Sequence, residues 1–289
     1  MSLLLIGCQK SELLIPQNQE EKDSNALESY RIMTASYRGV YVDNYMYFCG
    51  DTIKENQFLD WCKRYNFNAI SVYDLNNVLI DHSKYTPLSN FIKRAKTKYG
   101  ILEVAAVREK GTQFTGSTAT YNKNMTDIDK KFNVFNLENE YWNGMSTWTT
   151  YSSYLSTLKN LTYIPKPKTE AYIGWFTPGQ EVKQSNKFVL CLDRILVHDY
   201  ETSPNISYIQ SRLQYLANSA KSQNKVMDVI ILFSCESVFM GNYYKTHTFD
   251  DSFQDIISQY QNSSITNKGN LNIIGYQIFT QSLMRKIKA

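Results

Sequence analysis

From Arg38 onward, short apolar runs alternate with stretches in which apolar residues recur every three or four positions. The runs read as strands at Gly39–Asp43, Asn68–Asp74, Leu102–Val107, Phe132–Glu140 and Ala171–Phe176. Three more follow: Phe188–Leu192 running on toward Leu196–Asp199, Val226–Phe233, and Leu271–Phe279. Between them, Phe58, Trp61, Cys62 and Tyr65 share one helical face, as do Tyr151, Tyr154, Leu155 and Leu158. The same spacing joins Ile206, Ile209, Leu213 and Leu216, and then Phe253, Ile256, Ile257 and Tyr260. Thr86-Pro87 starts a helix whose stripe is Leu88, Phe91, Ile92, Ala95 and Tyr99, and Gly100 is placed to end it. Only the stretch 108–131 lacks a period; it reads as a long loop with a short helix, or as one weak helix.

Eight strands, each followed by enough chain for a crossover, constrain the fold strongly. A parallel sheet with helical crossovers is required, and eight such units match the (β/α)8 TIM barrel, an α/β fold. An open doubly wound sheet is the alternative, but it needs no eighth strand, and the chain has no glycine-rich phosphate loop. With 289 residues and no linker after Arg38, a single domain over 38–289 is expected. A hydrophobic content of 43% beside 20% charged residues excludes a disordered chain.

Residues 1–8 are a separate matter. Leu5-Ile6-Gly7-Cys8 closes an apolar run and resembles the lipobox of bacterial lipoproteins, where the cysteine is lipidated; a buried apolar segment with an incidental cysteine is the other reading. The resemblance implies a lipid anchor at Cys8, a cell-envelope location and contact with the membrane through that anchor alone. Residues 9–37, largely polar, then read as a tether. The remaining cysteines, Cys49, Cys62, Cys191 and Cys235, have no metal-ligand spacing, and three histidines add little, so no metal or cofactor is expected. A net charge of +4 with scattered Lys and Arg argues against nucleic acid, and a monomer is expected.

Chemistry concentrates at strand ends. In Asn133-Val134-Phe135-Asn136-Leu137-Glu138-Asn139-Glu140, the polar residues 136, 138 and 140 share one face of a strand. An exposed acidic edge is the bland explanation. Yet Asp43, Asp74, Glu109, Asp199 and Glu236 also fall at or just past strand ends, where barrel enzymes place their active sites. The strand-four pattern resembles the DGxDxDxE signature of family 18 glycoside hydrolases. That resemblance implies Glu140 as general acid, Glu138 as the carboxylate orienting the substrate's N-acetyl group, and Asn136 in place of the buried middle Asp. Leu196-Val197-His198-Asp199 is similar to the family's strand-six MxYD. Gly275-Tyr276-Gln277-Ile278-Phe279 is similar to its last strand. His198, Asp199, Tyr276 and Phe279 thereby become site candidates, with Tyr73 and Trp142 beside them for substrate binding.

Two alternatives remain open. Glu140 and Glu236 resemble the strand-four and strand-seven pair of retaining glycosidases. A tethered surface protein that captures carbohydrate without cutting it would present Trp142, Trp148, Trp175, Tyr243 and Tyr244 around the barrel mouth as flat sugar-binding faces. All three readings expect a carbohydrate partner.

Overall fold

The computed structural model describes residues 34–288, so Cys8 and nearly all of the expected tether lie outside the described residues. Eight parallel strands close into a barrel in sequence order, β1 (Tyr37–Val42), β2 (Ala69–Val72), β3 (Glu103–Arg108), β4 (Val134–Leu137), β5 (Lys168–Ile173), β6 (Arg194–Asp199), β7 (Met227–Ser234) and β8 (Leu271–Phe279). The fold is a (β/α)8 barrel. Around it run α1 (Thr52–Arg64), α2 (Leu75–Ile80), α3 (Tyr85–Tyr99), α4 (Gly111–Thr115), α5 (Ser117–Asn124), α6 (Trp148–Lys159), α7 (Glu181–Cys191), α8 (Ile206–Ser222), α9 (Phe249–Asn262) and α10 (Gln281–Ile287). No helix among the described residues is long and apolar enough to cross a membrane.

Strand alternation sorts the side chains. Outward residues such as Val40, Val42, Phe135, Leu137, Ile195, Val197 and Phe233 join one large core with the inner faces of the helices. Inward residues Tyr37, Tyr41, Val107, Tyr172, Leu196, Ile230 and Leu232 form a second cluster inside the barrel. Closure depends on β1 and β8, where Tyr37 pairs with Gly275 and Gly39 with Gln277. A Cβ on Gly275 would stand 1.8 Å from the Tyr37 carbonyl oxygen, so only glycine lets these strands meet. Helix ends carry their expected stops. Gly100 closes α3 in the left-handed region at φ 74°, and a reciprocal Thr248–Asp251 capping box opens α9.

Three local expectations are corrected. Phe188–Leu192 is not strand but the last turn of α7 and its cap, because Gln184, Ser185, Phe188, Val189 and Cys191 bury one helical face. The apolar run alone suits either period. Trp175 lies beyond the end of β5, 41% exposed, rather than within the strand. The aperiodic stretch 108–131 holds two short helices, α4 and α5. Asn122 fixes the second by hydrogen bonds in both directions with the Phe132 backbone, at 2.9 and 3.0 Å.

Candidate functional site

The inward face of β4 runs Val134, Asn136 and then Glu138, with Glu140 just past the strand end. Asn136 is fully buried and donates to Glu170 at 2.6 Å, and Glu170 in turn meets Arg194. Arg194 also pairs with Glu103, 2.6 Å away, and Glu103 with Lys168 at 2.7 Å. This ladder forms the barrel floor. Above it, at the C-terminal mouth, opens a cavity of about 210 Å3.

Three carboxylates line that cavity, Glu138, Glu140 and Glu236. Tyr41, Tyr172 and Tyr200 supply ring walls, and Leu232 and Phe279 complete it. Phe279 packs edge-on to Tyr41 at 5.7 Å and parallel to Tyr200 at 6.3 Å. No lysine, arginine or histidine lines this space among the described residues.

The two strand-four acids differ in their surroundings. Glu140 accepts a hydrogen bond on each oxygen, a short one from the Tyr172 hydroxyl and one of 2.6 Å from Asn143. Glu138 sits one layer deeper. Burial first, and then the Glu140 charge, push its carboxyl up to about 8, so it holds its proton at neutral pH. Glu236 is oriented by Ser234, whose hydroxyl donates to it at 2.9 Å. The tyrosines are held neutral by burial, with Glu138 the next contributor for Tyr41 and Tyr200.

The other candidates fall elsewhere. His198 does not border the cavity. It stacks behind Tyr200 at 4.6 Å, and burial followed by the Arg212 charge drive it down to about 3, so it is uncharged. Asp199 points outward, accepts the Asn205 backbone N–H at 2.8 Å, and is pushed up to about 7 by burial. It joins the end of β6 to the start of α8. Tyr276 also faces outward, donating to Asp250 at 3.0 Å, which removes it from any mouth site. Trp142 lies over Gly174 and edge-on to Tyr172 at 5.2 Å, behind the wall rather than in it. Asp43 receives the backbone N–H and hydroxyl of Ser282 and so holds the start of α10. Tyr73, Asp74 and Glu109 border a smaller neighbouring cavity of about 120 Å3.

Arg212 was not foreseen. It is 1% exposed, lies between the rings of Trp175 and Tyr208 at 4.4 and 4.8 Å, and donates to the carbonyls of Gly174, His198 and Tyr208. It ties the ends of β5 and β6 together behind Tyr172. Tyr41, Tyr172 and Asn143 were likewise missed. For Tyr41 and Tyr172 the strand alternation carried the signal, since each is an inward position near the C-terminal end of its strand.

No family model matches the sequence, and no curated protein matches it. Solved structures share the architecture. A Toxoplasma gondii ME49 protein assigned as a deoxyribose-phosphate aldolase is 9% identical, with a TM-score of 0.50 over 95% of this chain and 97% of its own. A Clostridium thermocellum protein that binds two copies of 5-methyl-5,6,7,8-tetrahydrofolic acid is 11% identical, at 0.50 over 90% and 96%. A 2,3-dimethylmalate lyase of the PEP mutase/isocitrate lyase superfamily is 10% identical, at 0.49 over 93% and 80%. The first two likenesses support the barrel fold.

The glycoside hydrolase expectation is overturned. No family model and no curated protein supports the motif resemblance, and the solved structures named above share the barrel without being described as family 18 hydrolases. The side chains give the physical reasons. Asn136 is committed to the floor, His198 stands behind the wall, and Tyr276 leaves the barrel altogether. The two-glutamate glycosidase reading falls with it.

Proposed function

We propose that this chain is an enzyme that moves protons on a small carbonyl compound free of negative charge, with Glu140 as base and Glu138 as acid. The observation that carries the reading is the pair of acids two residues apart in one cavity, Glu138 held protonated by burial and Glu140 hydrogen-bonded on both oxygens by Tyr172 and Asn143. Glu140 takes a proton from the carbon next to the carbonyl. The C–H electron pair becomes a C=C bond, and the carbonyl oxygen takes the Glu138 proton, giving the enol. Glu140 then returns a proton to carbon while the enol hydroxyl gives its own back to Glu138, so both acids are restored and the hydrogen beside the carbonyl has exchanged. With no Lys, Arg or His on the cavity wall among the described residues, phosphorylated or carboxylate substrates are disfavoured. The reading draws on the carboxyl groups of Glu138 and Glu140.

The test is deuterium exchange. Pure protein is incubated in D2O with a panel of small uncharged and cationic ketones and aldehydes, and loss of the signal beside the carbonyl is followed by NMR. Exchange above the buffer rate is expected, declining above pH 8 as Glu138 loses its proton, and abolished in Glu140→Gln. No exchange on any member, or equal exchange in the variant, would overturn the proposal.

A further inference from the structure

The mouth cavity combines two properties that point to one kind of ligand. Its charge is uncompensated. Glu140 accepts hydrogen bonds from Tyr172 and Asn143, and Glu236 adds a second acid oriented by Ser234. Two of the buried cations are already committed. Arg194 is paired with Glu170 and Glu103 in the floor, and Arg212 is spent on three backbone carbonyls behind β5 and β6. The walls, moreover, are aromatic. Tyr41, Tyr172, Tyr200 and Phe279 border the same space, with Tyr41 and Tyr172 1% and 4% exposed. Their ring faces carry partial negative charge, and such faces attract a cation most strongly where water is excluded.

We infer that this cavity is an ammonium cage, and that its ligand is a primary to quaternary amine held between aromatic rings and the carboxylates of Glu140 and Glu236. This takes the mouth cavity to be the active site, as proposed above, and adds the charge of the substrate. A neutral polar ligand of equal shape would leave the carboxylates unmatched. An anion would face them directly. A cation over Tyr200 and Phe279 satisfies both the rings and the acids. At about 210 Å3 the space suits a compact head group rather than a polymer segment.

The experiment is a calorimetric titration of the full chain with choline and with 3,3-dimethylbutan-1-ol, which has the same shape without the charge. Choline is expected to bind at least about tenfold more tightly. Glu236→Gln and Tyr200→Leu should each narrow the gap, and circular dichroism confirms that both variants are folded. Equal affinity for the two probes, or no binding of choline, overturns the inference. So does an unchanged gap in both variants. Because binding is read without turnover, choline recognition with no deuterium exchange would sink only the proton-transfer reading, and exchange on neutral ketones alone would sink only the cage.

Discussion

Replacing Glu138 with Gln should make the protein more stable at alkaline pH, an uncommon result for an active-site change. The folded state holds this carboxyl protonated up to about 8, against an ordinary value of 4.5. Between those values the unfolded chain has released the proton and the native chain has not. Stability is therefore full below pH 4.5, falls as pH rises, and levels off above 8. At about 1.4 kcal/mol per unit, a shift of between three and four units sets a ceiling near 5 kcal/mol. Water entering the mouth lowers that figure. Glutamine has nearly the same shape and no charge to desolvate, so it escapes the loss. Urea unfolding of both proteins at pH 4.5, 6, 7.5 and 9 should give curves that coincide at the acid end and separate progressively. A difference independent of pH, or a variant weaker throughout, would refute the claim that burial beside Glu140 holds this acid neutral.

Asp199→Asn should act in the same direction over a lower window, from 3.8 to about 7, because burial raises this outward carboxyl and one of its oxygens has no hydrogen-bond partner; urea midpoints at pH 4 and pH 8 measure it. Gly275→Ala drives a Cβ against the Tyr37 carbonyl where β1 meets β8. A cost beyond the usual 1–3 kcal/mol of overpacking is expected, since backbone must move, and thermal unfolding should show a large fall in Tm or no folded protein. Arg212→Met keeps the packing volume but leaves the carbonyls of Gly174, His198 and Tyr208 without their buried donor. A loss of about 3 kcal/mol or more is expected in urea unfolding, at about 1–3 kcal/mol for each group left unpaired.

The barrel was legible because its signal is repeated. Alternating periods of two and three to four residues recur along the chain, and β8 begins and ends where the apolar run does. The misplaced part of strand six shows the limit. Phe188–Leu192 is apolar enough for either element, and only burial of Gln184 and Ser185 on the same face makes it helix. At the site, alternation correctly put Asn136, Glu138 and Glu140 on one side of β4. It could not say how deep each lies, and depth separates a floor amide from an acid held protonated and from one bonded to Tyr172 and Asn143 at the mouth. Tyr276 was lost for a related reason. Its neighbours Gln277 and Phe279 point inward, so its own side chain must point out. The partners of Arg212 come from distant parts of the sequence and leave no local pattern at all.

The floor ladder has a consequence for how this molecule can change over generations. Glu103 and Glu170 are matched there by Arg194 and Lys168, so that layer carries no net charge and its members satisfy one another. The mouth residues Glu138, Glu140 and Glu236 take no part in those pairings. Durability and selectivity are thus encoded in different storeys of the barrel. Substitutions at the upper storey can redirect the molecule to new ligands while the lower one keeps the cylinder shut.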